Sequence, residues 1–68
     1  MELEQTIERI QLKCKEKGIT VAEMLRQTEL HHNLIVSMKL GRFPTCEKIV
    51  KIALYLEVTT DYLLLGRE

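Results

Sequence analysis

The sequence predicts an all-α protein, a compact bundle of five short helices that forms one domain over residues 1–68. Apolar residues recur at spacings of three and four, which is the period of an amphipathic helix. No segment shows a sustained two-residue alternation, so we expect no sheet. Residues that typically start or end helices separate the apolar segments and divide the chain into five parts.

The first helix is predicted from a stripe of Leu3, Ile7, Ile10 and Cys14, at spacings of four, three and four. We expect Gly18 to end this helix, because glycine readily adopts the left-handed conformation that closes many helices.

The second helix is predicted to begin at Thr20. Residues 20–23 read Thr-Val-Ala-Glu, which is a capping box. In such a box the Thr20 hydroxyl and the Glu23 carboxylate each bind a free amide at the helix start. Met24 and Leu25 then fall on the buried side of the helix.

The third helix is predicted over residues 31–39, after a polar corner at residues 28–30. Its buried positions are Leu34, Ile35 and Met38. A short helix with a small polar exposed side, held at a fixed angle on another helix, suits the major groove of DNA. The exposed side is expected to carry His32, Asn33, Val36 and Ser37.

The fourth and fifth helices follow a loop at residues 40–44, which glycine and proline mark. Thr45 is expected to cap the fourth helix. The buried face of that helix is predicted to contain Ile49, Val50, Ile52, Ala53, Leu54 and Leu56. A turn at residues 57–60 leads to a last helix over residues 61–65, which Gly66 closes.

Composition and charge exclude several classes of function. The apolar runs are too short to span a bilayer, and the acidic start lacks the basic residues of a secretory signal, so we expect a cytoplasmic location. Ten basic and ten acidic residues give a net charge of zero. Any affinity for DNA should therefore be moderate and depend on a dimer.

The reactive side chains do not indicate a metal site or an active site. Cys14 and Cys46 lack the paired spacing of metal ligands, and we expect both to be buried free thiols because each fits an apolar helix position. His31 and His32 are neighbours whose side chains diverge on a helix, so they should not chelate one ion. No nucleophile has a base and an orienting carboxylate at a recognisable spacing. We expect neither a cofactor nor enzymatic activity.

Several short motifs together carry a family resemblance. They are Lys-Gly-Ile-Thr at 17–20, Ala-Glu-Met at 22–24, the apolar residues Leu30, Ile35 and Met38, Gly-Arg-Phe-Pro at 41–44, and the ending at 51–58 and 60–66. In these features the chain resembles the Cro/lambda-repressor-type helix-turn-helix domains, the XRE-like regulators. The resemblance covers residues 7–66.

The resemblance implies a helix-turn-helix made by the second and third helices, the third being the recognition helix, and a symmetric dimer on a two-fold operator. The expected base-reading residues are His31, His32, Asn33, Val36 and Ser37. The residues expected at the DNA backbone are Thr20, Val21, Lys39 and Arg42. The fifth helix is expected to form the dimer contact through Tyr62, Leu63 and Leu65.

Val21, Leu25 and Glu29 are among the positions that depart from the family pattern. Relatives usually have glutamine at the position of Val21, where it contacts a phosphate and braces the recognition helix. They usually have alanine at Leu25, so the leucine requires a wider helix crossing or a shifted side chain. They usually have glycine at Glu29, where the turn is often left-handed, and we therefore predict a positive φ for Glu29.

These observations predict a sequence-specific regulator of transcription that binds double-stranded DNA, a repressor acting as a dimer. The alternative is a degenerate helix-turn-helix scaffold that binds a protein partner instead of DNA. The neutral charge, Val21 and Val36 favour that alternative. A salt titration of binding to random duplex DNA separates the two, because a DNA-binding protein loses affinity steeply with salt.

Overall fold

The computed structural model describes residues 3–67 and contains five helices. They are α1 (Leu3–Glu16), α2 (Val21–Gln27), α3 (Leu34–Lys39), α4 (Cys46–Leu56) and α5 (Thr60–Leu65). The described residues contain no strand. The prediction of an all-α bundle of five short helices is therefore confirmed.

The hydrophobic core lies where α1 meets the other helices. α1 packs against α2, α3 and α5, and α4 packs against α5. Each fully buried aliphatic side chain contributes roughly 1.5–3 kcal/mol, so the buried set as a whole is the main favourable term against the conformational entropy of the chain. The largest fully buried apolar side chains are Ile10, Met24, Met38, Ile52, Leu56 and Leu63. No helix within residues 3–67 has the length and apolar character needed to cross a membrane.

Threonine side chains start three of the helices. The hydroxyls of Thr20, Thr45 and Thr59 accept hydrogen bonds from the amide three residues later, at 3.0, 3.4 and 2.9 Å. The predicted caps at Thr20 and Thr45 are therefore confirmed. No described hydrogen bond joins the Glu23 carboxylate to the Thr20 amide, so only the threonine half of the predicted capping box is formed.

The end of α5 is held by an arginine from α1. Nη1 of Arg9 donates a hydrogen bond to the Leu63 carbonyl at 3.2 Å, where the last carbonyls of a helix lack partners within the helix. Gly66 follows with a φ of +75°, and a Cβ at this position would lie 2.8 Å from Nη2 of Arg9. Gly66 therefore ends the helix, as predicted, and also leaves room for the guanidinium group.

Two glutamates, Glu29 and Glu57, have a φ of +60°. The Glu29 amide donates to the Arg26 carbonyl at 3.2 Å, and the Leu30 amide donates to the Leu25 carbonyl at 2.9 Å, which together close the end of α2. The prediction of a positive φ for Glu29 is confirmed. Leu25 is only 2% exposed, so the bundle accommodates this leucine within its core.

The predicted start of the third helix at residue 31 is wrong. His31 and His32 lie before the helix, Asn33 is its N-cap, and α3 begins at Leu34. The Leu34 amide donates a hydrogen bond to the His31 carbonyl at 3.1 Å, and this bond closes a tight turn. Histidine is a weak helix former, and the turn that the Leu34 amide closes leaves both histidines before the first helical residue.

Part of the predicted buried face of α4 is also wrong. Ile49, Ile52, Ala53 and Leu56 are buried as predicted. Val50 and Leu54 are exposed, and Cys46 is exposed although a buried thiol was predicted. These three residues lie along a different side of α4, and a bundle of five short helices covers only one side of it. Cys14 is buried, as predicted.

The predicted dimer contact through Leu63 is wrong as well. This side chain is 0% exposed and belongs to the core of its own chain. Tyr62 is half-buried, with Nζ of Lys13 at 5.1 Å from the centre of its ring. Leu65 is 51% exposed. Leu63 points inward because it is the residue through which the short α5 packs against α1 and α4.

Candidate nucleic-acid interface

The second and third helices and the turn between them form a helix-turn-helix unit seated on the core. α2 buries Met24 and Leu25, and α3 buries Leu34, Ile35 and Met38. The Thr28 hydroxyl donates to the Met24 carbonyl at 2.8 Å, and the same carbonyl also accepts the Thr28 amide at 3.0 Å. Because apolar side chains hold both helices, their outer sides and the turn remain available for binding.

The predicted base-reading residues lie at the start and along the outer side of α3. His31, His32 and Asn33 are exposed, and Val36 is 57% exposed. Ser37 is half-buried. Positions three and four apart share one side of a helix, so Asn33 at the N-cap lies in line with Val36 and Ser37. The structure therefore brings these five residues into one continuous surface, although the two histidines belong to the turn.

The turn before α3 has internal order of its own. The rings of His31 and His32 stack, with centroids 4.4 Å apart and an interplanar angle of 27°. The Asn33 amide donates to Nδ1 of His31 at 3.3 Å, and the same Nδ1 contacts Oδ1 of Asn33. The Asn33 side chain makes no capping hydrogen bond to α3. His31 thus contacts both neighbouring side chains and holds the Asn33 amide outside the helix end.

The residues predicted to meet the DNA backbone are divided between two places. Thr20 is exposed at the start of α2, and its hydroxyl oxygen accepts the Glu23 amide, which leaves the hydroxyl proton free to donate. Val21 is half-buried and packs against the core, so it can offer only its backbone amide. Lys39 and Arg42 are exposed at the far end of α3.

The loop after α3 folds back on the helix. The Arg42 amide donates to the Ser37 carbonyl at 3.0 Å, and the Gly41 amide donates to the Met38 carbonyl at 2.9 Å. Gly41 has a φ of +92°, a conformation that residues with a Cβ atom rarely adopt. The reversal keeps Arg42 beside the last turn of α3, where its charge adds to that of Lys39.

Arg26 was not among the predicted site residues, and the structure adds it to this surface. Arg26 lies on the last turn of α2 and lines a shallow concavity together with His31 and His32. The sequence showed a cation near the turn, but it did not show that the turn folds back beside α2. The ion pairs within residues 3–67 are Lys13–Glu16 and Lys17–Glu57, so none of them neutralises Arg26, Lys39 or Arg42.

Metal-ligating side chains and thiols are the other groups of chemical interest among the described residues. No group of three or more histidine, cysteine, aspartate or glutamate side chains within residues 3–67 could hold a metal ion. Burial raises the pKa of the Cys14 thiol, which keeps this thiol protonated and unreactive near neutral pH.

The chain matches no protein-family model, no curated protein and no solved structure. Its function is therefore inferred from its own residues and their geometry.

Proposed function

We propose that this chain is a sequence-specific, double-stranded DNA-binding regulator of transcription, a cytoplasmic repressor of the Cro/lambda-repressor type that acts as a dimer on a two-fold operator. The observation that carries the proposal is the helix-turn-helix unit. Its turn and outer α3 surface expose polar side chains, while the far end of α3 holds Lys39 and Arg42 without ion pairs within residues 3–67.

The reading of bases follows from the chemistry of this surface. The Asn33 side chain can make two hydrogen bonds to adenine, to N6 and N7, in the major groove. His32 and Ser37 offer further donors and acceptors, and the exposed Val36 fits against a thymine methyl group. His31 acts mainly on its neighbours, because its ring stacks on His32 and bonds to Asn33.

Contacts to phosphates would position this surface on the duplex. The Thr20 hydroxyl and the Val21 amide lie at the start of α2, and Lys39 and Arg42 lie at the end of α3. Such contacts set the register and orientation of a protein on DNA without reading sequence. Because the net charge of the chain is zero, one copy binds weakly, and specific binding requires two copies on successive major grooves about 34 Å apart.

The second candidate function is binding to a protein partner through the same helix-turn-helix surface. Two observations favour it. Val21 has no polar side chain to offer a phosphate, and Val36 places a large exposed apolar group in the middle of α3. A protein partner would bury Val36 and would show a weaker dependence on salt than DNA does.

The experiment that tests the proposal is a selection of binding sites from random duplexes with the purified protein, followed by a salt titration on the selected duplex. We expect a two-fold symmetric site and an affinity that falls steeply with salt. Arg42→Ala should weaken binding to all sequences alike and flatten the salt slope, since one phosphate contact contributes about 0.9 to that slope.

Lys15→Ala is the matched control, because Lys15 is an exposed cation in the last turn of α1, outside the proposed interface. It should leave the slope nearly unchanged. If the selection enriches no sequence and random duplex binds without salt dependence, the chain does not act on DNA, and the protein-binding function replaces this one.

A further inference from the structure

An apolar stripe runs along the outer flank of α4 and consists of Cys46, Val50 and Leu54. Val50 is 43% exposed and Leu54 is 73% exposed. At one end of the stripe, Phe43 and Leu64 border a shallow apolar groove that also reaches Cys46 and Val50. Single exposed apolar residues are ordinary on protein surfaces, but a contiguous strip of them on so small a domain indicates a contact surface.

Two opposite charges border this α4 stripe. Glu47 and Lys51 are exposed, and neither takes part in an ion pair within residues 3–67. They are four residues apart, so they lie along the same edge of the helix. Since the stripe itself repeats every four residues, the edge and the stripe run side by side along α4.

We propose that the α4 stripe is the surface on which a second copy of this chain docks, with the two α4 helices antiparallel and the two-fold axis at Val50. The proposal rests on the dimer that the proposed function requires, but not on the reading of DNA. It replaces the contact through α5 that the sequence predicted, since Leu63 is enclosed in the core.

The charges of Glu47 and Lys51 favour a second copy as the partner, and they favour an antiparallel arrangement of the two α4 helices. A two-fold axis across the helices keeps the charged edges of both copies on the same side of the contact. Glu47 of each copy then lies near Lys51 of the other, offset by about 3 Å along the helix axis at a rise of 1.5 Å per residue. A parallel pair would place the two charged edges on opposite sides and leave both charges unpaired.

The same axis fixes which apolar residues meet. Val50 faces Val50 of the second copy, and Cys46 faces Leu54. The two copies of Cys46 are separated by about 12 Å along the helix axis, because Cys46 of one copy faces Leu54 of the other, which is eight positions from that copy's own Cys46.

Disulfide trapping of the whole chain, free of DNA, tests the register. Val50→Cys combined with Cys46→Ser should form a covalent dimer rapidly under dissolved oxygen with a copper–phenanthroline catalyst, as seen on a non-reducing gel. Leu54→Cys with Cys46 retained should also cross-link, through positions 46 and 54 of different copies. The unchanged chain is the control and should cross-link at least tenfold more slowly, because Cys46 is far from its copy and Cys14 is buried.

Sedimentation equilibrium tests the surface without a cross-link. Val50→Glu should raise the dissociation constant of the dimer at least tenfold. Leu12→Glu, a matched change of an exposed leucine on α1, should not. Glu47→Lys should weaken the dimer, and adding Lys51→Glu should restore it. A circular dichroism spectrum of each variant confirms that the helices are retained.

The outcomes separate this proposal from the proposed function. A chain that is monomeric at all concentrations, together with no cross-link through position 50, overturns the α4 contact whether or not DNA binds. Rapid cross-linking of the unchanged chain through Cys46 overturns the antiparallel register. If the chain dimerises through α4 but selects no DNA sequence, the α4 contact is supported and the DNA-binding function is excluded.

Discussion

Replacing Glu29 with glycine should stabilise the fold. Glu29 has a φ of +60°, a conformation in which a Cβ atom crowds the backbone at a cost of roughly 1–2 kcal/mol. Glycine removes this cost but loses more chain entropy on folding, about 0.5–1 kcal/mol. The net gain should be on the order of 0.5–1 kcal/mol, which corresponds to a rise in Tm of roughly 2–8 °C for a domain of this size.

The assay is thermal and urea unfolding followed by circular dichroism, and Glu29→Ala is the control. Alanine keeps the Cβ atom, so it should not bring the gain that glycine brings. Glu57→Gly supplies a second comparison at the same φ of +60°, but there the change also removes the exposed contact of Glu57 with Nζ of Lys17 at 3.3 Å. Exposed ion pairs contribute little, so Glu57→Gly should stabilise slightly less than Glu29→Gly. If Glu29→Gly is no more stable than Glu29→Ala, the positive φ at Glu29 does not lower the stability of the fold.

The remaining predictions concern the end of α5, the turn before α3 and a buried thiol. Gly66→Ala should destabilise the fold more than Gly18→Ala in urea unfolding: both positions have positive φ, but only at Gly66 would the new Cβ displace the Arg9 guanidinium, which donates to the Leu63 carbonyl. Equal losses would show that the guanidinium moves aside without cost. His32→Ala and Asn33→Ala should each relax base preference by roughly 1–3 kcal/mol in a site selection, and an unchanged selected sequence would remove the recognition role of this surface. His31→Asn keeps a hydrogen-bonding atom near the position of Nδ1 and should therefore preserve the base preference that Asn33 confers. His31→Phe keeps only the stacked ring and should lose that base preference. Burial raises the pKa of the Cys14 thiol, so this thiol ionises in the unfolded chain at a lower pH than in the folded chain. The free energy of unfolding should therefore be full below the unfolded thiol pKa of about 8.5 and should fall as the pH rises above that value. Cys14→Ala should abolish this loss at alkaline pH, whereas Cys46→Ala should retain it.

Features that depend on a few neighbouring residues could be predicted from the amino-acid sequence. Threonines at 20 and 45 were predicted as helix caps, and Gly18 and Gly66 as helix ends. The stripe of Ile7, Ile10 and Cys14 was sufficient to predict the buried side of α1. Such features are local because a cap or a helical period involves atoms within one or two turns of the chain.

Other features depend on how the helices pack against one another. Val50 and Leu54 have the same apolar character and helical spacing as their buried neighbours, yet they are exposed because no other helix within residues 3–67 covers them. Leu63 is enclosed because α5 packs against its neighbour α4 and also against α1, which lies at the other end of the described chain.

The candidate site shows the same division. The residue types at positions 31–37 identified the surface, but the start of α3 at Leu34 and the place of Arg26 beside the two histidines depend on how the turn folds back. A pattern of apolar and polar residues specifies which side of a helix is buried only when a partner is available to bury it. In a chain with five short helices, the number and arrangement of those partners is a property of the whole bundle.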